Sequence, residues 1–267
     1  MSTTTASPEA NRICNLVHSR GTEKDWKLEH AVASGALGAV VAPPPSVDLR
    51  AAWWKIGDQE QTGSCVGWAS TDGVARYHMV KASRLGPNER LSPRFTWMAS
   101  KETDEFVSRP ETFIEGAGTS LKAAMDILRK YGAAPEAALP FHIQTAMYSG
   151  DENTFFSTAA QRRIAAYYNL GKDVNQWRTW LASRGPILAG LNVDSTWDNA
   201  TATHGNLDAF HGPGRGGHAV CIVGYRQDGR IIIRNSWGTA WGDKGFGYAK
   251  PAYIAGAFFN ESYGATL

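Results

Sequence analysis

Three short apolar runs in the second half of the chain, PILAGLNV, HAVCIVGY and RIIIRNSW, constrain its fold more than any other feature. They are bounded by Gly, Asp and Pro and read as strands. The first half carries a different period. In CVGWASTDGVARYHMVKA, Val66, Ala69, Val74, Tyr77 and Val80 stand near helical spacing, which predicts a helix from Cys65 to about Ala82 despite Gly67 and Gly73. TSLKAAMDILRKYG sets Leu121, Ala124, Met125 and Leu128 on one stripe, with Ser or Thr at the start and Gly132 at the stop. VNQWRTWLASRG predicts a third helix ending in the same way at Gly185. Helices followed by strands make an α+β chain whose character changes within the polar stretch Tyr148 to Thr158. The expected organisation is an N-terminal extension over residues 1–43, a helical domain over 44–150 and a β-rich domain over 151–267.

The chain has 267 residues, 43% apolar and 19% charged, enough to bury a real core. A net charge of +2 with no basic block points to neither a nucleic-acid partner nor a membrane surface. Cys14, Cys65 and Cys221 do not form a disulfide framework, so a reducing compartment is the simpler reading. The run AVASGALGAVVA, Ala31 to Ala42, is too short to span a bilayer, and Glu9, Glu23, Asp25 and Glu29 before it suit a signal peptide poorly. A monomer is expected, cytoplasmic or exported without a recognisable signal peptide. The Ser/Thr-rich start, Met1 to Ala10, predicts disorder.

Cys65, in QTGSCVGWAS, stands where the predicted helix begins. The positive end of a helix and its free N–H groups stabilise a thiolate, which is the nucleophilic form of cysteine. Gly63 would let a substrate backbone approach, and the Cys65 N–H could face a developing oxyanion. Gln59 could return a second donor to the same point if the intervening residues turn compactly. A thiolate needs a base, and the base needs an orienting group. His218 opens one strand and Asn235 closes the next. In an antiparallel hairpin centred between Arg226 and Gln227, the two lie directly opposite. Asp228-Gly229 favours a tighter turn that would set Asn235 against Ile222, so a longer loop or bulge is expected, with Gly229 at positive φ. Each residue also has a plain reading: a buried small cysteine, a structural histidine, a turn-forming asparagine. In the order Gln, Cys, His, Asn they are far more specific together.

At these residues a resemblance appears. QTGSCVGWA, GGHAVCIVGY and RNSWGTAWGDKGFGY resemble the three signature blocks of papain-like cysteine peptidases, particularly bacterial members. PPSVDLR resembles the mature N-terminus of that family, and GTSLKAAMDILRKYGAAPEAALPF its helical segment behind the substrate cleft. The resemblance covers roughly Pro45 to Tyr253. It implies a two-lobed fold, a helical left domain and a β-barrel-like right domain, with a cleft between them. It also implies roles: Cys65 as nucleophile, His218 as general acid and base, Asn235 as orienter and Gln59 as oxyanion donor, acting on a protein or peptide. Trp237 would shield the His218–Asn235 hydrogen bond, and Gly63, Ser64, Gly118 and Gly217 would lie along the substrate. The chain departs from the family pattern at Val66, where Trp usually follows the nucleophile, at Thr62, where a disulfide cysteine is common, and at EGAGTS, which stands for a Gly-Gly pair. An acyl transferase or amidase on the same residues, or a catalytically silent binding module, are the rival readings.

His204, His211 and His218 recur every seven residues, but GPGRGG between them holds no recognised ligand spacing, so no metal is expected. Gly212, Gly214 and Gly217 precede a strand rather than linking strand to helix, so no nucleotide site or other cofactor is expected either. WKLEHAVASGALGAVVA carries enough apolar side chains to pack on the body or across the cleft; the alternatives are an inhibitory cover and an inert extension.

Overall fold

The computed structural model describes residues 11–38, 41–103, 116–142 and 151–267. The Ser/Thr-rich start and the first part of the expected domain seam, residues 148–150, lie outside the described residues. In chain order, α1 (Leu28–Ala33) and β1 (Val47–Asp48) come first. At Cys65 begins one helical run: α2 (Cys65–Gly67), a π-helical stretch (Trp68–Ala75) and α3 (Arg76–Lys81). Helices α4 (Pro93–Thr103), α5 (Leu121–Lys130) and α6 (Glu152–Ala160) follow. Then come β2 (Ala166–Asn169), α7 (Val174–Ser183), β3 (Ile187–Asn192), α8 (Ser195–Asp198) and β4 (Asn206–Leu207). The chain closes with β5 (Gly217–Tyr225), β6 (Ile231–Arg234), β7 (Phe246–Ala249), α9 (Pro251–Ala257) and β8 (Phe258–Thr266).

The three expected helices and three expected strands all form, and the architecture is α+β. Side-chain caps start two of the three helices that periodicity picks out: Ser120 accepts from the Ala123 N–H, and Asp173 from the Asn175 N–H, whereas Ser64 before Cys65 makes no such bond. Gly132, with φ of 86°, ends α5 as a left-handed C-terminal residue should. Gly67 and Gly73, which weaken the helix locally, serve packing. A Cβ at Gly67 would lie 2.3 Å from the Pro93 carbonyl oxygen, and one at Gly73 would lie 2.9 Å from the Cys221 Cβ. The glycines let the Cys65 helix sit directly on α4 and on β5.

The sheet is open, in the order β2-β8-β3-β5-β6-β7-β4, with β1 pairing to β5. Strand β5 is buried along its whole length and divides the interior. Val220 and Ile222 face a tryptophan-rich cluster with Trp177, Trp180, Trp197, Trp237 and Trp241. Ala219, Cys221 and Val223 face the helices, against Cys65, Val66, Met79, Leu121 and Met125. This period of two puts successive residues of one strand onto opposite sides.

The hairpin register corrects the direct His218–Asn235 pairing. Cys221 pairs with Arg234 and Ile222 with Ile233, then a bulge at Val223 shifts the ladder to Gly224–Ile232 and Tyr225–Ile231. Extending the 221–234 register puts Asn235 opposite Val220, two residues from His218. Gly229 has φ of 86°, and the loop closes through Arg226 N–H to the Arg230 carbonyl. The bulge and longer loop are present, yet together they shift the strands only part of the way. Side-chain reach covers the remainder, because Asn235 has already left the strand and bonds the Gly245 carbonyl.

A buried charge cage joins the helical part to the sheet. Asp72, in the π-helical stretch, receives Arg234 at 2.6 Å, Arg90 at 3.0 Å and Arg76 at 3.2 Å. Arg234 also donates to the Lys55 carbonyl. Three guanidinium groups outweigh the burial penalty and hold the Asp72 carboxyl below its usual range. No helix among the described residues is long and apolar enough to cross a membrane.

Candidate active site

Cys65 is the first residue of its helix and is fully buried. Its sulfur sits among the backbone groups of Ala219 on β5, Val66 and Cys65 itself. His218, next to Ala219, is also fully buried. Its Nε2 lies 2.7 Å from Asn235 Oδ1, an oxygen that also accepts the Ser236 N–H at 2.8 Å. An amide oxygen only accepts, so the Nε2 carries the proton and donates. The other ring nitrogen, Nδ1, is buried without a hydrogen-bond partner.

Two indoles flank this histidine and a third backs them. The Trp237 ring centroid is 4.9 Å from that of His218, and Trp197 meets His218 edge-on at 5.5 Å. Trp241 stacks on Trp197 at 5.2 Å. Trp197 is fixed in turn: Asp194 caps α8, and Tyr253 accepts the Trp197 indole N–H while donating to Asp194. The sequence reading missed Trp197, although the Asp-Ser-Thr start of α8 is a legible cap signal.

Gln59 is buried and locked at both ends. Its Nε2 donates to the Thr62 carbonyl at 2.9 Å, its Oε1 accepts from Ser236 Oγ, and its backbone N–H bonds the Ser236 carbonyl. Gln59 and Asn235 are thus joined through the residue after Asn235. Gly63 makes room for the chain itself, since a Cβ there would lie 2.6 Å from the Ala117 carbonyl oxygen. The Ser64 hydroxyl turns to Thr62 Oγ1 at 2.6 Å.

Along this site runs the N-terminal segment. The Leu16 N–H donates to the Gly217 carbonyl at 2.9 Å, and the Val17 N–H to the Thr119 carbonyl at 3.1 Å. Val17 and Ser120 form a parallel bridge. Asn15 Nδ2 donates to the Gly116 carbonyl, and a Cβ at Gly118 would overlap the Asn15 carbonyl oxygen at 2.0 Å. Leu16 is buried in the same cluster as Cys65 and Ala219. Arg12 bonds Asp58 at 2.5 Å and reaches the Glu60 and Trp237 carbonyls. Arg215 pairs with Asp198 and also reaches the Arg12 carbonyl. Farther on, Ser19 bonds Glu261, and Asp25 holds Lys122, Asn169 and Tyr263. Gly118 and Gly217, expected along a substrate, therefore meet this segment. Nothing in RICNLVHS announces that role, because its partners lie about a hundred and two hundred residues away.

Burial dominates the electrostatics of Cys65 and His218. Burial pushes the Cys65 thiol up to about 12, against the opposing pull of backbone groups. Burial also pushes His218 down to about 4, against the hydrogen bond to Asn235, with Arg215 and Arg12 adding to the fall. Desolvation here outweighs the backbone groups around the thiol and the Asn235 bond to the imidazole, so burial favours the uncharged form of each. The heptad histidines diverge: the backbone N–H of His211 bonds Asp194, while the ring of His218 serves Asn235.

The family model described as "Papain family cysteine protease" matches residues 43–253. The chain is 30% identical to Peptidase 1 of Psoroptes ovis over 85% of this chain and 66% of that one. It is 28% identical to the Cathepsin L-like proteinase of Fasciola hepatica, over 82% of this chain and 63% of that one. The chain thus spans just under two thirds of the length of these curated relatives. In structure it is similar to xylellain, a cysteine protease from Xylella fastidiosa, with a TM-score of 0.75 at 19% identity over 100% of this chain and 99% of that one. It is similar also to the bromelain protease of Ananas comosus in complex with the E64 inhibitor, with a TM-score of 0.61 at 20% identity over 84% and 99% of the two chains. The match over most of its length, together with the fold, means that this chain belongs to the papain family of cysteine proteases.

Proposed function

We propose that the protein is a cysteine endopeptidase in which Cys65 attacks a peptide carbonyl and forms a thioester. His218 Nδ1 takes the thiol proton and later gives it to the leaving amine, while Asn235 holds the ring through Nε2. The Gln59 amide and the Cys65 N–H receive the oxyanion. Water then releases the acyl group. The observation that carries this reading is the 2.7 Å His218–Asn235 bond, which leaves the other ring nitrogen without a partner, while the sulfur of Cys65, at a helix start, meets the backbone of Ala219, the residue after His218. Labelling of Cys65 by an affinity epoxide, compared with His218→Ala, tests the dyad; equal labelling would count heavily against it. Cleavage products from a peptide library separate hydrolysis from acyl transfer and side-chain amide cleavage.

The segment up to residue 43 is, on this reading, an inhibitory cover. Its supports are the Leu16–Gly217 and Val17–Thr119 bonds on either wall of the cleft. Displacement of the cover readmits water and thereby favours the charged dyad. Full-length protein compared with protein beginning at Pro44 tests this, and equal labelling rates would remove the inhibitory role.

A further inference from the structure

We propose that Asp58, with the main-chain carbonyls of Glu60 and Trp237, forms a subsite for a guanidinium group, so that the protein favours substrates carrying arginine after the scissile bond. The inference rests on the peptidase reading and names a substrate class for it. In the covered protein Arg12 of the N-terminal segment fills this subsite. Its Nη1 donates to Asp58 Oδ1 at 2.5 Å and to the Glu60 carbonyl at 2.9 Å. Its Nη2 donates to Asp58 Oδ2 at 3.1 Å and to the Trp237 carbonyl at 3.2 Å. Paired bonds to one carboxylate fit the planar fork of a guanidinium, which the compact ammonium of lysine does not reproduce. No other described residue forms an ion pair with Asp58.

The acceptors are set by the body of the protein, independently of Arg12. Asp58 Oδ1 also accepts the Glu60 N–H at 2.8 Å, and Asp58 forms an isolated antiparallel bridge with Trp237. Glu60, which is not a glycine, is held at φ of 54°, a left-handed conformation that costs free energy. Gly238 stands at φ of 76°, and a Cβ there would lie 2.8 Å from Asp58 Oδ2. Two left-handed residues thus frame one carboxylate, whose side chain stays 43% exposed even with Arg12 in place. Its position suits a substrate. Asp58 directly precedes Gln59, and Trp237 flanks His218. Since His218 gives its proton to the leaving amine, the peptide beyond the scissile bond passes Trp237 and comes to Asp58. The neighbouring Arg215, over the Trp237 ring at 5.7 Å, is already paired with Asp198 at 2.8 Å and leaves Asp58 to the incoming arginine. When the cover lifts, that arginine takes the bonds Arg12 gives up.

The test measures kcat/KM of full-length protein on peptides that differ only by Arg, Lys or Gln, scanned along the positions after the cleaved bond. All of them meet the same cover, so their ratios are independent of how often it opens. Arg should exceed Gln by about fivefold at one position, the range of a partly solvated ion pair. The ratio should fall to near one in Asp58→Asn, whose amide oxygen can still accept the Glu60 N–H. Arg12→Gln should speed all the peptides and keep the ratio. An Arg-to-Gln ratio of one in the wild type, or the same ratio in Asp58→Asn, would overturn the subsite; Lys equal to Arg would overturn its guanidinium character without need of a variant. Equilibrium binding of the Arg and Gln peptides to full-length Cys65→Ala judges the two readings apart. Tighter binding of the Arg peptide, with no hydrolysis by the wild type, supports the subsite and counts against the peptidase reading. Hydrolysis without preference sinks only the subsite, and equal binding without hydrolysis sinks both.

Discussion

Leu16 donates its backbone N–H to the carbonyl of Gly217, the residue immediately before His218, and the next N–H along, that of Val17, reaches Thr119 beside α5. One short segment thus joins the start of β5 to the start of α5. The apolar side chain of Leu16 is buried in the same cluster as Cys65 and Ala219.

Leu16→Ala should loosen this cover. Truncating a buried leucine costs about 2 kcal/mol or more, which corresponds to an approximately thirtyfold larger open fraction. The rate of epoxide labelling of Cys65 reports it, and an unchanged rate would mean that Leu16 does not hold the segment down. Arg12→Ala should act weakly, within about fivefold, because the Arg12–Asp58 pair is partly solvated.

Asn235→Ala removes the acceptor for His218 Nε2 and frees the ring to turn or change tautomer. Peptide hydrolysis should fall by about a hundredfold with the fold retained, in the range expected for a misplaced general base. Turnover together with circular dichroism checks this; undiminished turnover would remove Asn235 from its orienting role.

Acid should destabilise the protein through its buried histidines. His78 and His218 are each pushed from 6.5 down to about 4 by burial. The unfolded chain binds these protons near 6.5 and the folded chain only near 4, so their contribution is intact above 6.5 and is lost as pH falls through 4. Each is worth about 3 kcal/mol when fully lost. Glu136 and Glu261, whose carboxyls burial pushes up, work in the opposite sense. Urea midpoints at about pH 7 and about pH 4.5 should therefore fall less in His78→Gln than in the wild type; an identical fall would exclude His78.

Asp72→Ala leaves Arg76, Arg90 and Arg234 facing one another without their shared carboxylate. A loss of about 3–5 kcal/mol is expected. Equilibrium urea unfolding measures it, and a loss below about 1 kcal/mol would mean that water or a rearranged partner replaces the carboxylate.

The local elements were legible because their signals are local. The stripe Leu121, Ala124, Met125 and Leu128, capped by Ser120 and stopped at Gly132, specifies α5 within fourteen residues. PILAGLNV, HAVCIVGY and RIIIRNSW became β3, β5 and β6. Gln59, Cys65, His218 and Asn235 stood out by residue type, order and neighbouring motifs. The hairpin register was not legible, since a bulge at Val223 depends on packing across both faces of β5. Nor were the Asp72 cage and the Trp197 wall around His218, which join residues far apart in sequence.

By itself, then, the sequence determined which segments are helix and strand and which side chains carry a cysteine–histidine chemistry, since periodicity, caps and residue chemistry act over a few positions. Only the tertiary structure decided that RICNLVHS pairs with the residue before His218 and with Thr119, and that burial raises the Cys65 thiol and lowers the His218 imidazole. Those outcomes depend on desolvation and long-range backbone pairing, which exist only once the chain has closed on itself.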